Sequence, residues 1–324
     1  MRVIRRGPDS CLVLGLLTAL LCIAPNAPAC ARTRAFQMAL WGAESDSTVG
    51  LNTDVAVFPE GHEQPKGDSV MINFNWQAPL SQHGDYEWSR ILAVLVDEPY
   101  NDFNGVTCWT NSIAEDVRDR TRLLSDRARE LKSVSPLTRF WVNYAEPQLK
   151  WMTTRQCTHD GSGPPSINNS DFDVVSVDVY RASFKRGVKK YYDWLVLRRS
   201  KPDQQVALIP GTFHIRGKDK PAVQASYLKG YFDYANRMNR NCNLPLGSRG
   251  QTGSFDGCPV WMVMGWLSHN HTEGGLEYVG ERDPRSAAIA RVWRAQVAVP
   301  LRSDLANQRQ RSELAQTSLP PLLQ

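Results

Sequence analysis

Residues 91–100 read ILAVLVDEPY: six consecutive apolar residues, then two acids, a proline and a tyrosine. A short, continuous apolar run closed by a breaker reads as a strand covered on both faces, as in a parallel sheet. The pattern recurs along the chain. RFWVNYAEP (139–147) and DVVSVDVY (173–180) also finish on an acid beside Pro or Tyr, while QQVALIPGTF (204–213) and PVWMVMGWLSHN (259–270) finish on Pro-Gly-Thr and Trp-Leu-Ser. FQMALWG (36–42), TDVAVF (53–58) and VMINFNW (70–76) bring the strand candidates to eight.

Helical stretches alternate with the later strands. Residues 112–134 place Ile113, Val117, Leu124 and Leu131 near helical spacing, with Asn111 as the expected cap. Residues 184–200 are amphipathic with a basic end, which suits a helix C-terminus. Residues 220–240 open with Pro221, and residues 283–299 open with Asp283-Pro284, a cap followed by a first-turn proline. Strand then helix, repeated, predicts an α/β fold of the (β/α)8 TIM-barrel type. The links among the first three strands are short and rich in Gly and Pro, so a distorted barrel lacking helices in its first third is expected. An open doubly wound sheet is the alternative, but no Gly-rich dinucleotide fingerprint follows any strand. The barrel domain is expected over 36–301, followed by a polar tail, 302–324.

The first 29 residues read as a signal peptide. Arg2, Arg5 and Arg6 precede the apolar stretch CLVLGLLTALLCIA (11–24), and Ala27-Pro28-Ala29 supplies the small residues of a cleavage site. An exported protein, periplasmic or secreted, is therefore expected, with no integral membrane segment in the mature chain. Cys30 follows Ala29 and could carry a lipid, but no Leu precedes it in the manner of a lipobox, so the unanchored form is preferred. The net charge of +5 includes +2 from that leader, and what remains is too dispersed for nucleic acid. Oligomeric state is not legible.

Export favours disulfides among the four remaining cysteines, Cys108, Cys157, Cys242 and Cys258. Three pairings are possible; Cys108–Cys157 with Cys242–Cys258 is preferred, since the second bridge would close a Gly-rich stretch. Without a CxxC, zinc or redox chemistry has little support. His269-Asn270-His271 lacks a third ligand, so no metal and no cofactor is expected, and His269 is read as a candidate partner for a substrate hydroxyl.

If parallel strands end in carboxylates, those acids collect at the C-terminal rim, where α/β barrels keep their chemistry. Glu98, Glu146 and Asp178 are the candidates. Strand alternation suggests that Asp97 and Glu98 cannot both face the site, and Asp97 is read as a cap or ion-pair partner. Ser176, Asp178 and Tyr180 share one strand face. Trp41, Trp76 and Trp266 fall at strand ends with Trp109 and Trp151 in loops beyond, and flat rings suit the C–H faces of pyranoses.

Asp97-Glu98-Pro99-Tyr100 resembles the Glu-Pro signature closing the fourth strand of many retaining glycoside hydrolase barrels. FDVVSVDVY is similar to a later strand of such barrels, and GWLS resembles their eighth, whose Trp stacks beneath a sugar. The resemblance covers 36–300 in layout and only these motifs in detail. It implies that Glu98 is the acid/base and that the partner is a carbohydrate; Tyr100 and Tyr180 are read as substrate-binding candidates, with Tyr180 tuning the second acid. The family's nucleophile, a Glu ending strand seven, has no counterpart, because that strand ends Pro210-Gly211-Thr212. Glu146 or Asp178 would have to supply the second carboxylate. Two rivals follow: a non-catalytic carbohydrate-binding protein on the same scaffold, and an envelope protein whose acids never converge.

Overall fold

The computed structural model describes residues 33–41, 54–59, 70–83, 86–103, 106, 108–153, 157–158, 169–240, 258–267 and 269–301. The leader, Cys30, Cys242 and the tail 302–324 lie outside the described residues.

Each of the eight apolar runs forms a strand: β1 (Gln37–Leu40), β2 (Ala56–Pro59), β3 (Val70–Asn73), β4 (Ile91–Asp97), β5 (Arg139–Ala145), β6 (Val174–Asp178), β7 (Gln205–Ile209) and β8 (Val260–Gly265). They pair in parallel in the order β1-β8-β7-β6-β5-β4-β3-β2. The sheet curls until its edge strands meet at one bridge, Ala39 to Val55. Five helices follow the later strands: α1 (Asn111–Val134), α2 (Glu146–Thr153), α3 (Lys189–Leu197), α4 (Pro221–Met238) and α5 (Ala287–Val297). Among the described residues no α-helix lies between β1 and β4. The expected barrel is thus realised as a curled parallel sheet of partial TIM-like form.

Three helix details differ from expectation. Thr110, not Asn111, caps α1: its hydroxyl accepts from the Ile113 amide at 3.2 Å. The segment 184–188 is a π-turn leading into α3, where wider winding admits Phe184 among Tyr192, Tyr231 and Tyr234. Residues 146–153, read as a strand end and loop, form helix α2, with Pro147 in its first turn where a missing N–H costs nothing.

Alternation along the strands sorts two cores. Phe140, Val142 and Tyr144 of β5 and Val175 and Val177 of β6 face outward under the helices, with Leu124, Tyr192 and Trp293. Ala93 and Leu95 of β4, Trp141 of β5, Val174 of β6 and Ala207 of β7 face inward and pack with Trp261 and Met264 of β8. The inner space also holds buried polar groups. Arg139 is hydrogen-bonded to Gln205 and lies 4.8 Å over the Trp261 ring. Burial lowers its proton affinity to a pKa of about 10.

Candidate functional site

The inward row at the C-terminal ends of β4, β5 and β6 is polar. Asp97 sits opposite Asn143, and Asn143 opposite Ser176, as register partners on adjacent strands. Asn143 Nδ2 donates to Asp97 Oδ1 at 2.8 Å, Ser176 Oγ donates to Asn143 Oδ1 at 2.7 Å, and Trp141 Nε1 donates to Ser176 Oγ at 2.7 Å. Asp178 lies two residues above Ser176 on the same face, and Tyr180 two above that.

Glu98 joins this row by breaking alternation. Its amide continues the strand pairing by donating to Asn143 O at 3.0 Å, and its φ of 41° then turns the chain left-handed. A turn follows, with the Asn101 amide donating to Glu98 O at 3.1 Å and Pro99 at the second position, where its fixed φ fits. Side chains of Asp97 and Glu98 therefore serve one site, contrary to the alternation argument. Glu98 is hydrogen-bonded to Asp178, and the charges of both Glu98 and Asp97 act on it.

Burial raises the Asp178 pKa well above the usual carboxylate range; the Glu98 charge and hydrogen bond and the Asp97 charge push further, and a Tyr180 hydrogen bond opposes them. Burial also raises Asp97, to about 6, with the Asn143 hydrogen bond opposing and the Glu98 charge adding. The Tyr180 phenol is pushed well up by burial and by the neighbouring acids. Three carboxyl groups in one partly desolvated place cannot all ionise cheaply, so Asp97 and Asp178 hold their protons to higher pH than isolated carboxylates do.

Aromatic rings adjoin the acids. Trp41 stacks on Trp266 at 5.0 Å between centroids, and Trp266 stacks on Tyr180 at 5.9 Å. Phe213 continues the series against Tyr180 at 5.7 Å, followed by Tyr278 at 5.4 Å. Backbone pairing fixes the tryptophans: the Trp41 amide donates to Gly265 O, the Trp266 amide to Pro210 O, and Thr212 Oγ1 to Trp266 O at 2.7 Å. Trp41, Trp266 and Tyr180 remain half-buried.

The other candidates lie elsewhere. Glu146 begins α2, where it accepts from Tyr191 Oη at 3.0 Å and pairs with Lys150 at 3.2 Å; it is not among the groups acting on Asp178. Tyr100 is fully buried, its hydroxyl 2.8 Å from Thr121 Oγ1 and its ring stacked on Tyr144, so it anchors the Glu98 turn from behind rather than lining the site. Trp76 packs on the outer core with the Arg120 guanidinium 5.9 Å over its ring. His269 is exposed, with Arg282 Nη1 3.2 Å from its Nε2. The backbone sets Cys108 opposite Cys157 in a two-stranded parallel pair, and Cys258 is one half of a disulfide. The side chains of Trp109 and Trp151 lie outside what is described.

Sequence reasoning placed Ser176 on the face of Asp178 but missed Asn143 and the hydrogen bond from Trp141. Part of the signal was available: Asn143 is a hydrogen-bonding residue set two places from Trp141 on the inward face of its strand. Among the described residues no group of three His, Cys, Asp or Glu is arranged to hold a metal ion, and no helix is long and apolar enough to cross a membrane.

No protein-family model and no curated protein sequence matches the chain. Among solved structures, it is similar to a GH2 β-galacturonidase from Eisenbergiella tayi bound to glycerol, with TM-score 0.46 and 13% identity over 83% of this chain and 51% of that one. The same enzyme bound to galacturonate gives TM-score 0.44 and 11% identity over 82% and 52%. A Bacteroides uniformis β-glucuronidase gives TM-score 0.39 and 11% identity over 70% and 28%. The chain thus spans about half the length of the first of these enzymes.

Proposed function

We propose that the chain is an exported, glycoside hydrolase-like protein that cleaves a poly- or oligosaccharide by carboxylate acid/base chemistry. The observation that carries this reading is the contact of Glu98 with Asp178, beside Asp97 and next to the Trp41–Trp266–Tyr180 stack. Glycosidic cleavage needs one carboxyl to protonate the leaving oxygen and another to attack the sugar or activate water. In this reading Glu98 delivers the shared proton to the glycosidic oxygen. Asp178, held by Tyr180, is left as the carboxylate that attacks the anomeric carbon or takes a proton from water. The rings offer apolar faces to the sugar. Glu146, occupied by Lys150 and Tyr191, would support the rim rather than react.

The same proposal takes the curled sheet as a (β/α)8 barrel closed at the β1–β2 seam, over 36–301. It takes residues 1–29 as a cleaved leader, and Cys108–Cys157 and Cys242–Cys258 as the disulfides of an exported protein.

A second reading, a carbohydrate-binding protein without catalysis, is favoured by one feature. No glutamate ends β7, whose run closes Pro210-Gly211-Thr212, so the nucleophile of retaining barrels has no counterpart at that strand end. Purified protein incubated with a glycan panel, wild type beside Glu98→Gln, separates the two readings. Hydrolysis predicts release of reducing ends by wild type and a loss of roughly 10²–10⁴-fold in the variant, with binding retained. Equal binding and no reducing ends from either protein leaves only the binding reading.

A further inference from the structure

We infer that Trp141, Ser176 and Asn143 form a one-way hydrogen-bond relay that holds Asp97 as the ionised, acceptor-only acid of the trio. The catalytic consequence, that the proton stays with Glu98 and Asp178, rests on the hydrolase reading; the relay itself does not.

The direction of the relay follows from the groups in it. An indole N–H can only donate, a hydroxyl has one proton, and an amide has one donating and one accepting end. Trp141 Nε1 gives its proton to Ser176 Oγ, so that hydroxyl receives from below. Ser176 then has one proton to place, and Asn143 Oδ1 at 2.7 Å is the acceptor the described residues offer it. That choice turns the Asn143 NH₂ toward Asp97.

Reversing the amide would set Asn143 Oδ1 against Asp97, which would have to be protonated to donate. Ser176, fully buried, would then have no acceptor for its proton, and an unmade hydrogen bond at a buried hydroxyl is costly. Asn143, only 1% exposed, also accepts the Glu98 amide on its backbone carbonyl, so one residue aligns both acids. Trp141, Ser176 and Asn143 are therefore positioning residues. Among the described residues, the charged and titratable groups acting on the trio are its own members, Tyr180 and, from beneath Asp178, the phenols of Tyr192 and Tyr231; Arg139 lies lower in the interior, on Gln205.

A ¹³C NMR titration of the Asp97 carboxyl in the full chain without substrate, assigned with Asp97→Asn, reads the relay directly. Ser176→Ala frees the amide to reverse and should raise the Asp97 midpoint by about one pH unit, while Ser176→Thr, which keeps the hydroxyl, should restore it. An unmoved midpoint in folded Ser176→Ala overturns the relay. Should that variant not fold, wild type still decides. The Trp141 indole and Asn143 amide proton resonances should shift through the Asp97 midpoint, and resonances that stay still there refute the coupling. A glycan panel left uncut while the Asp97 shift is intact removes the hydrolase reading alone; cleavage with an unmoved midpoint removes the relay alone.

Discussion

A carboxyl group that loses water and faces another acid keeps its proton to higher pH, and Asp97 does both. The consequence for stability has a sign. Well below its ordinary pKa of 3.8, Asp97 is neutral in both folded and unfolded chains. As pH rises to about 6 the unfolded chain ionises first, and above 6 the folded state carries a charge it holds at a cost. Asp97→Asn should therefore stabilise the protein by about 1–3 kcal/mol at pH 8 and by little at pH 4. Denaturant unfolding at both pH values checks this; equal gains at the two would contradict it. A second residue-scale test concerns Tyr180, whose hydrogen bond opposes the rise in Asp178 proton affinity. Tyr180→Phe should move the acidic limb of the pH–rate profile for glycan cleavage, set by ionisation of Asp178, to higher pH, without moving the basic limb. Glu98 was legible as a site residue from Glu-Pro, but its left-handed backbone was not. Alternation holds only while a strand continues, and the chain leaves the strand at that residue.

At the scale of elements, the site depends on how strand ends are held. Arg120 of α1 donates to the Pro99 carbonyl at 2.8 Å and pairs with Asp102 at 2.7 Å, which clamps the turn carrying Glu98. Gly265 ends β8 because a Cβ there would lie 2.5 Å from Thr212 Cγ2 and 2.7 Å from Leu40 Cδ1. Gly265→Ala should cost about 1–3 kcal/mol of stability and push Trp266 off Trp41, weakening glycan binding more than an exposed substitution does. Thermal unfolding and calorimetric titration with a bound oligosaccharide would measure both effects, and unchanged binding would show that the stack does not contact sugar. The eight strands were readable because each is a compact apolar run between breakers. Helix α2 was hidden because Glu146-Pro147 repeats the look of Glu98-Pro99, yet in one place the proline opens a turn and in the other a helix. The hydrogen-bonded row was only half legible: Ser176 could be placed on the face of Asp178, but its link through Asn143 to Asp97 appears only when β4, β5 and β6 fall into register.

Across the whole molecule, the sheet is unevenly bound. β4, β5 and β6 share five register pairs at each junction, whereas β1 meets the segment leading into β2 at one bridge, Ala39 to Val55, with the Asp54 and Val55 amides donating to Met38 O. Arg34 reinforces that junction. Buried at 3% exposure, it pairs with Asp54 through both Nη atoms and donates to the Val299 and Phe36 carbonyls at 2.9 Å, while Asp54 accepts the Met38 amide at 2.7 Å. Arg34→Met should cost about 3 kcal/mol, since a half-covered carboxylate loses its partner. The loss should register as faster amide deuteration around residues 37–40 and 54–58 rather than in β5; uniform acceleration would argue against a local weak point.

That unevenness divides the rim of the sheet. The staves bearing Asp97, Glu98 and Asp178 are the tightly hooped ones, while Trp41 rides on the stave beside the loose joint. If the proposed glycan reading holds, a polymer lying across that rim would meet a firmly held side bearing the acids and a more yielding side bearing Trp41, so chains of differing girth would be gripped without disturbing the acids.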